Sequence, residues 1–161
     1  MTNSCSNVLS PKERSRSANF SFIYRDTPCG SIPVDIFNSS KNTLIHTPLA
    51  ETESITISLQ LTDDELDAIY QKAIETDFFN LPAELTPPDN MIHITSAPTG
   101  TYALSITNGE MVNSVFWKSD IITDLLFKEA NQFLKLMSFI REIIVSHEEY
   151  QQLPEQITGC A

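Results

Sequence analysis

The sequence predicts an α+β fold of two layers: an antiparallel sheet of five to six strands with two helices, at about 62–76 and 120–147, packed on one face. Three observations predict it. Apolar residues alternate with period two across much of the first 61 residues and again over 101–118. Helical spacing of apolar residues is confined to two separate stretches, and 161 residues are enough for one core. The chain therefore divides into a polar, Ser-rich tail (1–18), a single domain (19–150) and a C-terminal tail (151–161) broken by Pro154 and Gly159.

The first strand is signalled by Phe20, Phe22 and Tyr24, and Pro28-Cys29-Gly30 breaks it. Ile32, Val34 and Ile36 alternate in the second, which would place Phe37 on the opposite face. Asn38-Ser39-Ser40 turns the chain into a short third run, NTLIHT. Ile55, Ile57, Leu59 and Leu61 then alternate with Ser, Thr and Gln, as a half-buried strand does.

Thr62-Asp63-Asp64-Glu65 is a capping box, in which the Thr hydroxyl and the Glu carboxylate satisfy free amides of the first helical turn. Behind it Leu66, Ile69, Tyr70, Ala73 and Ile74 form one apolar stripe. Residues 83–100 contain Pro87, Pro88 and Pro98, which predicts a long loop with at most a short edge strand near Met91–Thr95.

Asn108-Gly109 predicts a two-residue hairpin turn, with Thr107 opposite Glu110 and Ile106 opposite Met111. Tyr102, Leu104 and Ile106 then share a face with Val115 and Trp117, and Asn113 is the misfit among them. Ser119 or Asp120 caps the second helix, whose apolar spacing continues through Phe133, Met137, Ile140 and Ile144. At ~1.5 Å per residue that helix would be about 40 Å long.

Charge narrows the function classes. Ten Lys and Arg stand against 21 Asp and Glu, a formal net of −11, which repels phosphate backbones and anionic lipid. Nucleic acid is not an expected partner. Residues 51–90 hold ten of the acids against Lys72 alone, which suits either steering of a cationic partner or a solvated face. No apolar run reaches the ~18 residues that cross a bilayer, and no signal-peptide pattern is present, so a soluble chain without a transmembrane segment is expected.

Cysteine and histidine chemistry is sparse. Cys5, Cys29 and Cys160 are odd in number and lack metal-knuckle spacing, and His46, His93 and His147 are isolated, so no locally assembled metal site and no cofactor is expected. Four glycines provide no phosphate cradle. Cys29, at a tight Pro-Cys-Gly turn, is the one candidate nucleophile, and a base for it would come from His46, His93 or His147.

Pro28-Cys29-Gly30, Pro33-Val34, Leu61-Thr62-Asp63-Asp64-Glu65-Leu66, Asp77-Phe78-Phe79-Asn80-Leu81 and the ending from His147 to Glu155 together form a pattern. It resembles a group of uncharacterised bacterial α+β domains found mainly in exported or lipid-anchored proteins. The resemblance implies a cell-envelope setting and no particular activity. It also draws attention to Cys5-Ser6-Asn7, since a lipid-anchored mature chain begins with Cys and a polar tether, although the apolar segment that a lipobox needs is missing upstream. Relatives often carry a second cysteine where this chain has Ile32, so a local disulfide at that turn is not expected.

The second face of the sheet carries the functional expectation. Ile23, Phe37, Val112 and Phe116, set among Ser and Thr, would form a mixed patch for a protein or peptide partner, or for a homodimer. The first expectation is thus a non-enzymatic binding or interaction module. Two alternatives stand beside it: a hydrolase or transferase using Cys29, and an inhibitor presenting the 82–100 loop to a target enzyme.

Overall fold

A computed structural model of the protein describes residues 15–28, 34–48, 53–89, 100–119 and 127–156. The chain forms β1 (Ser21–Thr27), β2 (Val34–Asn38), β3 (Thr43–Thr47) and β4 (Ile55–Ser58), followed by helix α1 (Asp63–Glu75) and a 3-10 turn (Phe78–Asn80). β5 (Gly100–Asn108), β6 (Met111–Ser119), α2 (Lys128–Ser146) and the short α3 (Glu148–Gln151) complete it. All strand pairs are antiparallel, in one sheet ordered β4-β3-β2-β1-β5-β6. The first four strands are a meander, and the β5–β6 hairpin is added on the far side of β1.

Both long helices cover the same face. Phe22, Tyr24, Phe37, Leu44, Leu104, Ile106, Val115 and Trp117 point toward them from the sheet and meet Ile69 and Tyr70 of α1 and Phe133, Leu136, Met137 and Ile140 of α2. Burying a side chain of this size contributes roughly 1.5–3 kcal/mol, so this layer is where the fold's stability resides.

Strand β2 corrects the sequence reading. Asp35 and Phe37 face the helices, Ile36 faces away, and Phe37 is fully buried. It therefore does not belong to the exposed patch. The larger ring decides the phase: Phe37 lies opposite Tyr24 on one side and Leu44 on the other, 5.5 Å from the Phe22 ring. The accompanying inward Asp35 is tolerated because it is hydrogen-bonded.

The β5–β6 register is also shifted from the expected one. Asn108 pairs with Met111 and Ile106 with Asn113, and Gly109, at φ +66°, is the first central residue of the turn. Asn108 stays in the ladder because it is buried and its side chain accepts the Ser17 amide, while Asn19 binds both the N–H and the carbonyl of Gly109. A change of two in register leaves every side chain on its expected face. The misfit Asn113 is explained: its amide donates to the carbonyls of Phe78 and Leu81, fastening the 3-10 turn to the sheet.

Thr62 and Glu65 form the reciprocal capping box at the start of α1. Helix α2 spans Lys128–Ser146 behind an extended Phe127, the expected start at 120 lies outside the described residues, and Ser119 is the last residue of β6, opposite Gly100. With 19 residues, α2 is about 28 Å long at ~1.5 Å per residue, shorter than expected. The expected edge strand near 91–95 lies outside the described residues. Both tails are tied down where they are described: Arg16 pairs with Asp63 and Asp67, and Leu153 packs against the core.

Candidate functional site

Among the described residues, no layer covers the face turned away from the helices. Register builds a single row across it, Thr56–Ile45–Ile36–Arg25–Ala103–Phe116, from five successive strand pairings. A second row runs alongside, Asn38–Ile23–Ser105–Ser114. Small residues make the floor, the larger Ile23, Ile36 and Phe116 make the walls, and Ala83 closes one side of a shallow groove of about 470 Å³. Ser114 donates to Ser105 at 2.8 Å, so the floor hydroxyls satisfy each other.

Three of the expected patch residues lie on this face and are exposed: Val112 (63%), Ile23 (48%) and Phe116 (41%). Phe37 does not, for the reason given above. Ala103 lies on this face as the hairpin's parity predicts, whereas Ile36, Ile45 and Arg25 are members the sequence reading missed, because the alternation assigned to β2 was out of phase and cross-strand rows depend on register.

The electrostatics of this face differ from those of the rest of the chain. The residues of β1 to β6 that point into it include no Asp or Glu and carry two cations, Arg25 and Lys118, both exposed; one carboxylate joins them at the margin, that of exposed Glu84, bridge-paired with Phe116. Among the described residues, Arg16 and Arg141 each pair with two carboxylates, whereas Arg25 has no ion pair.

The sheet's edge beside Phe116 is already used. Leu85 donates its amide to the Phe116 carbonyl and Phe116 donates to Ala83, a short parallel bridge that shields the β6 edge. Residues 83–85 of the loop assigned to the inhibitor reading are therefore bonded to the sheet.

A second cluster lies on the helix-covered side, at one end of β1, β2 and β3. His46 Nδ1 is 2.7 Å from Asp35 Oδ1, and its Nε2 is 2.9 Å from the Pro154 carbonyl. Tyr150 donates to Asp35, and Arg141 donates to Asp26, which also accepts from Tyr24. Burial raises the Asp26 carboxyl above its ordinary value, against the pull of Arg141. Burial, aided by the charge of Asp26, pushes Tyr24 well up, and burial together with the bond to Asp35 raises Tyr150. At Arg141 burial acts downward, and the charge of the nearby Asp26 helps to outweigh it, so its affinity for the proton rises.

This cluster joins three strands to α2 and to the segment after α3. His46 is 1% exposed and both of its nitrogens are engaged, so it offers no free base to a substrate. His147 is engaged by Glu65 at 2.9 Å. The candidate nucleophile Cys29, and with it His93, Cys5, Cys160 and Ile32, lie outside the described residues. Among the described residues, no group of three His, Cys, Asp or Glu could hold a metal ion, and no helix is long and apolar enough to cross a membrane.

Inward acids were the overlooked signal for the cluster. Asp26 follows Phe22 and Tyr24 at the same parity, and Asp35 precedes Phe37 by two, so both occupy core-facing positions where a carboxylate needs partners. In comparisons with known proteins, no family model and no curated protein matches the chain.

Proposed function

We propose that the protein is a non-enzymatic binding module that takes a protein or peptide partner on the open face of its sheet. The observation that carries this reading is the row Ile45–Ile36–Arg25–Ala103–Phe116, apolar except for one central cation, in which Ile45, Arg25 and Phe116 are exposed and Ile36 and Ala103 half-buried. Apolar side chains on an uncovered sheet face contribute little to the stability of the monomer and become useful when a partner excludes water from them. The shielded β6 edge favours docking on the face over addition of a strand beside Phe116. The engaged imidazoles of His46 and His147 also favour binding over catalysis.

The test is selection of a displayed random 12-residue peptide library on two baits, the wild-type protein and the Val112→Asp, Phe116→Asp double variant. Peptides enriched on the wild type and not on the variant are the expected result. Identical enrichment on both baits would remove the open face as the site.

A further inference from the structure

Building on the proposed binding face, we infer that its partner brings a carboxylate to Arg25, set between apolar side chains that occupy the groove on either side. The partner is an acidic-apolar segment of another protein, not a second copy of this chain.

Four observations converge. Arg25 is at the centre of the row, flanked directly by Ile36 and Ala103, with Ile45 and Phe116 one strand further out. It also lines the groove and is exposed, as a long side chain with an apolar stem and a charged tip can be. It has no ion pair among the described residues, in a chain with 21 acids, while Arg16 and Arg141 each have two. Finally, no residue of β1 to β6 on this face is acidic, and the marginal Glu84 is separated from Arg25 by two strands, β5 and β6.

The same charge pattern discriminates among occupants. Stacking two copies through this face would bring two Arg25 and two Lys118 side chains together, with the marginal Glu84 of each copy as the one carboxylate beside them, so cations would outnumber acids two to one. Two cations are also too few to overcome repulsion of a phosphate backbone by a chain of net −11. A single carboxylate flanked by apolar residues meets all the requirements. Arginine binds it through two parallel N–H donors, and the flanking contacts keep water from the pair, the arrangement in which such a bond is strongest.

Spacing sharpens the expectation. Neighbouring strands lie ~4.8 Å apart, so Ile45 and Phe116 are each about 10 Å from Arg25, and Ile36 about half that. Same-side residues of an extended segment repeat every ~7 Å, so the partner should carry Asp or Glu with apolar residues two positions before and after it.

The experiment uses the most enriched peptide from the selection above, synthesised and titrated calorimetrically into full-length protein. Arg25→Glu should weaken binding by about tenfold or more, as truncating or reversing one member of an interfacial charge pair does. Replacing the peptide's acid by Lys should weaken binding to the wild type and restore it to Arg25→Glu. Thermal melting of each variant confirms that this exposed substitution leaves the fold intact.

If Arg25→Glu changed affinity less than twofold while Phe116→Asp abolished binding, the face would stand and the carboxylate would be wrong. If Phe116→Asp were without effect as well, the binding face itself would be wrong. A dimer in sedimentation that Phe116→Asp dissolves would make the occupant a second copy and overturn the inference.

Discussion

Phe37 and Phe116 are both strand phenylalanines, and they meet opposite surroundings. Phe37 is fully buried between Phe22, Tyr24 and Leu44 under the helices; Phe116 lies on the uncovered face, 41% exposed. The charges divide in the same way. Asp63, Asp64, Asp67, Glu75 and Glu142 are exposed on the outer surfaces of the helices, while the strand positions of the open face carry only Arg25 and Lys118. Stability and recognition are thereby assigned to different sides of one sheet, and a substitution on one side should affect one property and spare the other.

The largest expected effect tests that division directly. Phe37→Ala should cost about 3–5 kcal/mol in urea unfolding, the range for emptying an aromatic site in a core, while Phe116→Ala should stay within about 0.5 kcal/mol. Comparable losses at the two positions would mean that the open face is part of the folding core.

Neighbours in β6 offer a finer comparison. Asn113→Ala leaves the carbonyls of Phe78 and Leu81 without their side-chain donor and should cost about 1–3 kcal/mol, whereas Ser114→Ala, one residue along and on the other face, should cost much less. At the helix, Thr62→Ala removes the cap and should cost about 1 kcal/mol.

The smallest effects concern pH and have opposite signs at two acids. Asp26 is raised from 3.8, mainly by burial, so the folded state holds its proton longer than the unfolded chain. Its contribution is complete below the ordinary value and is lost as pH rises through the folded value. At Glu65 burial acts upward, but the bonds from Thr62 and the charge of His147 prevail and lower the carboxyl from 4.5. Its contribution is present above that value and is lost as pH falls through the folded one. Urea midpoints measured against pH should therefore decline less steeply above about pH 4 in Asp26→Asn, and less steeply on acidification in Glu65→Gln. The reverse slopes would contradict the burial argument at Asp26 and the bonding argument at Glu65.

Local signals were legible in the sequence where one physical effect dominates. The Thr62–Glu65 box needs only four residues, and the alternation Phe22-Tyr24 has no competitor of similar size on the other face of β1. In β2 two alternations compete, Val34-Ile36 against Phe37, and the outcome depends on what β1 and β3 present to each side. The turn at Gly109 was displaced because Ser17 and Asn19, ~90 residues earlier, bind its flanks, a contact that local turn propensity does not contain. For the candidate site, Ile23, Val112 and Phe116 were readable from parity, whereas the central place of Arg25 required the register of five strands.

The separation of the two faces is tested most directly by amide NMR of the full-length protein titrated with a peptide selected on the wild type. Shift changes confined to Ile23, Arg25, Ile36, Ala103, Phe116 and their strand neighbours, with the amides of α1 and α2 unmoved, are predicted. Changes concentrated on the helices, with β1, β5 and β6 silent, would contradict the assignment of recognition to the open face.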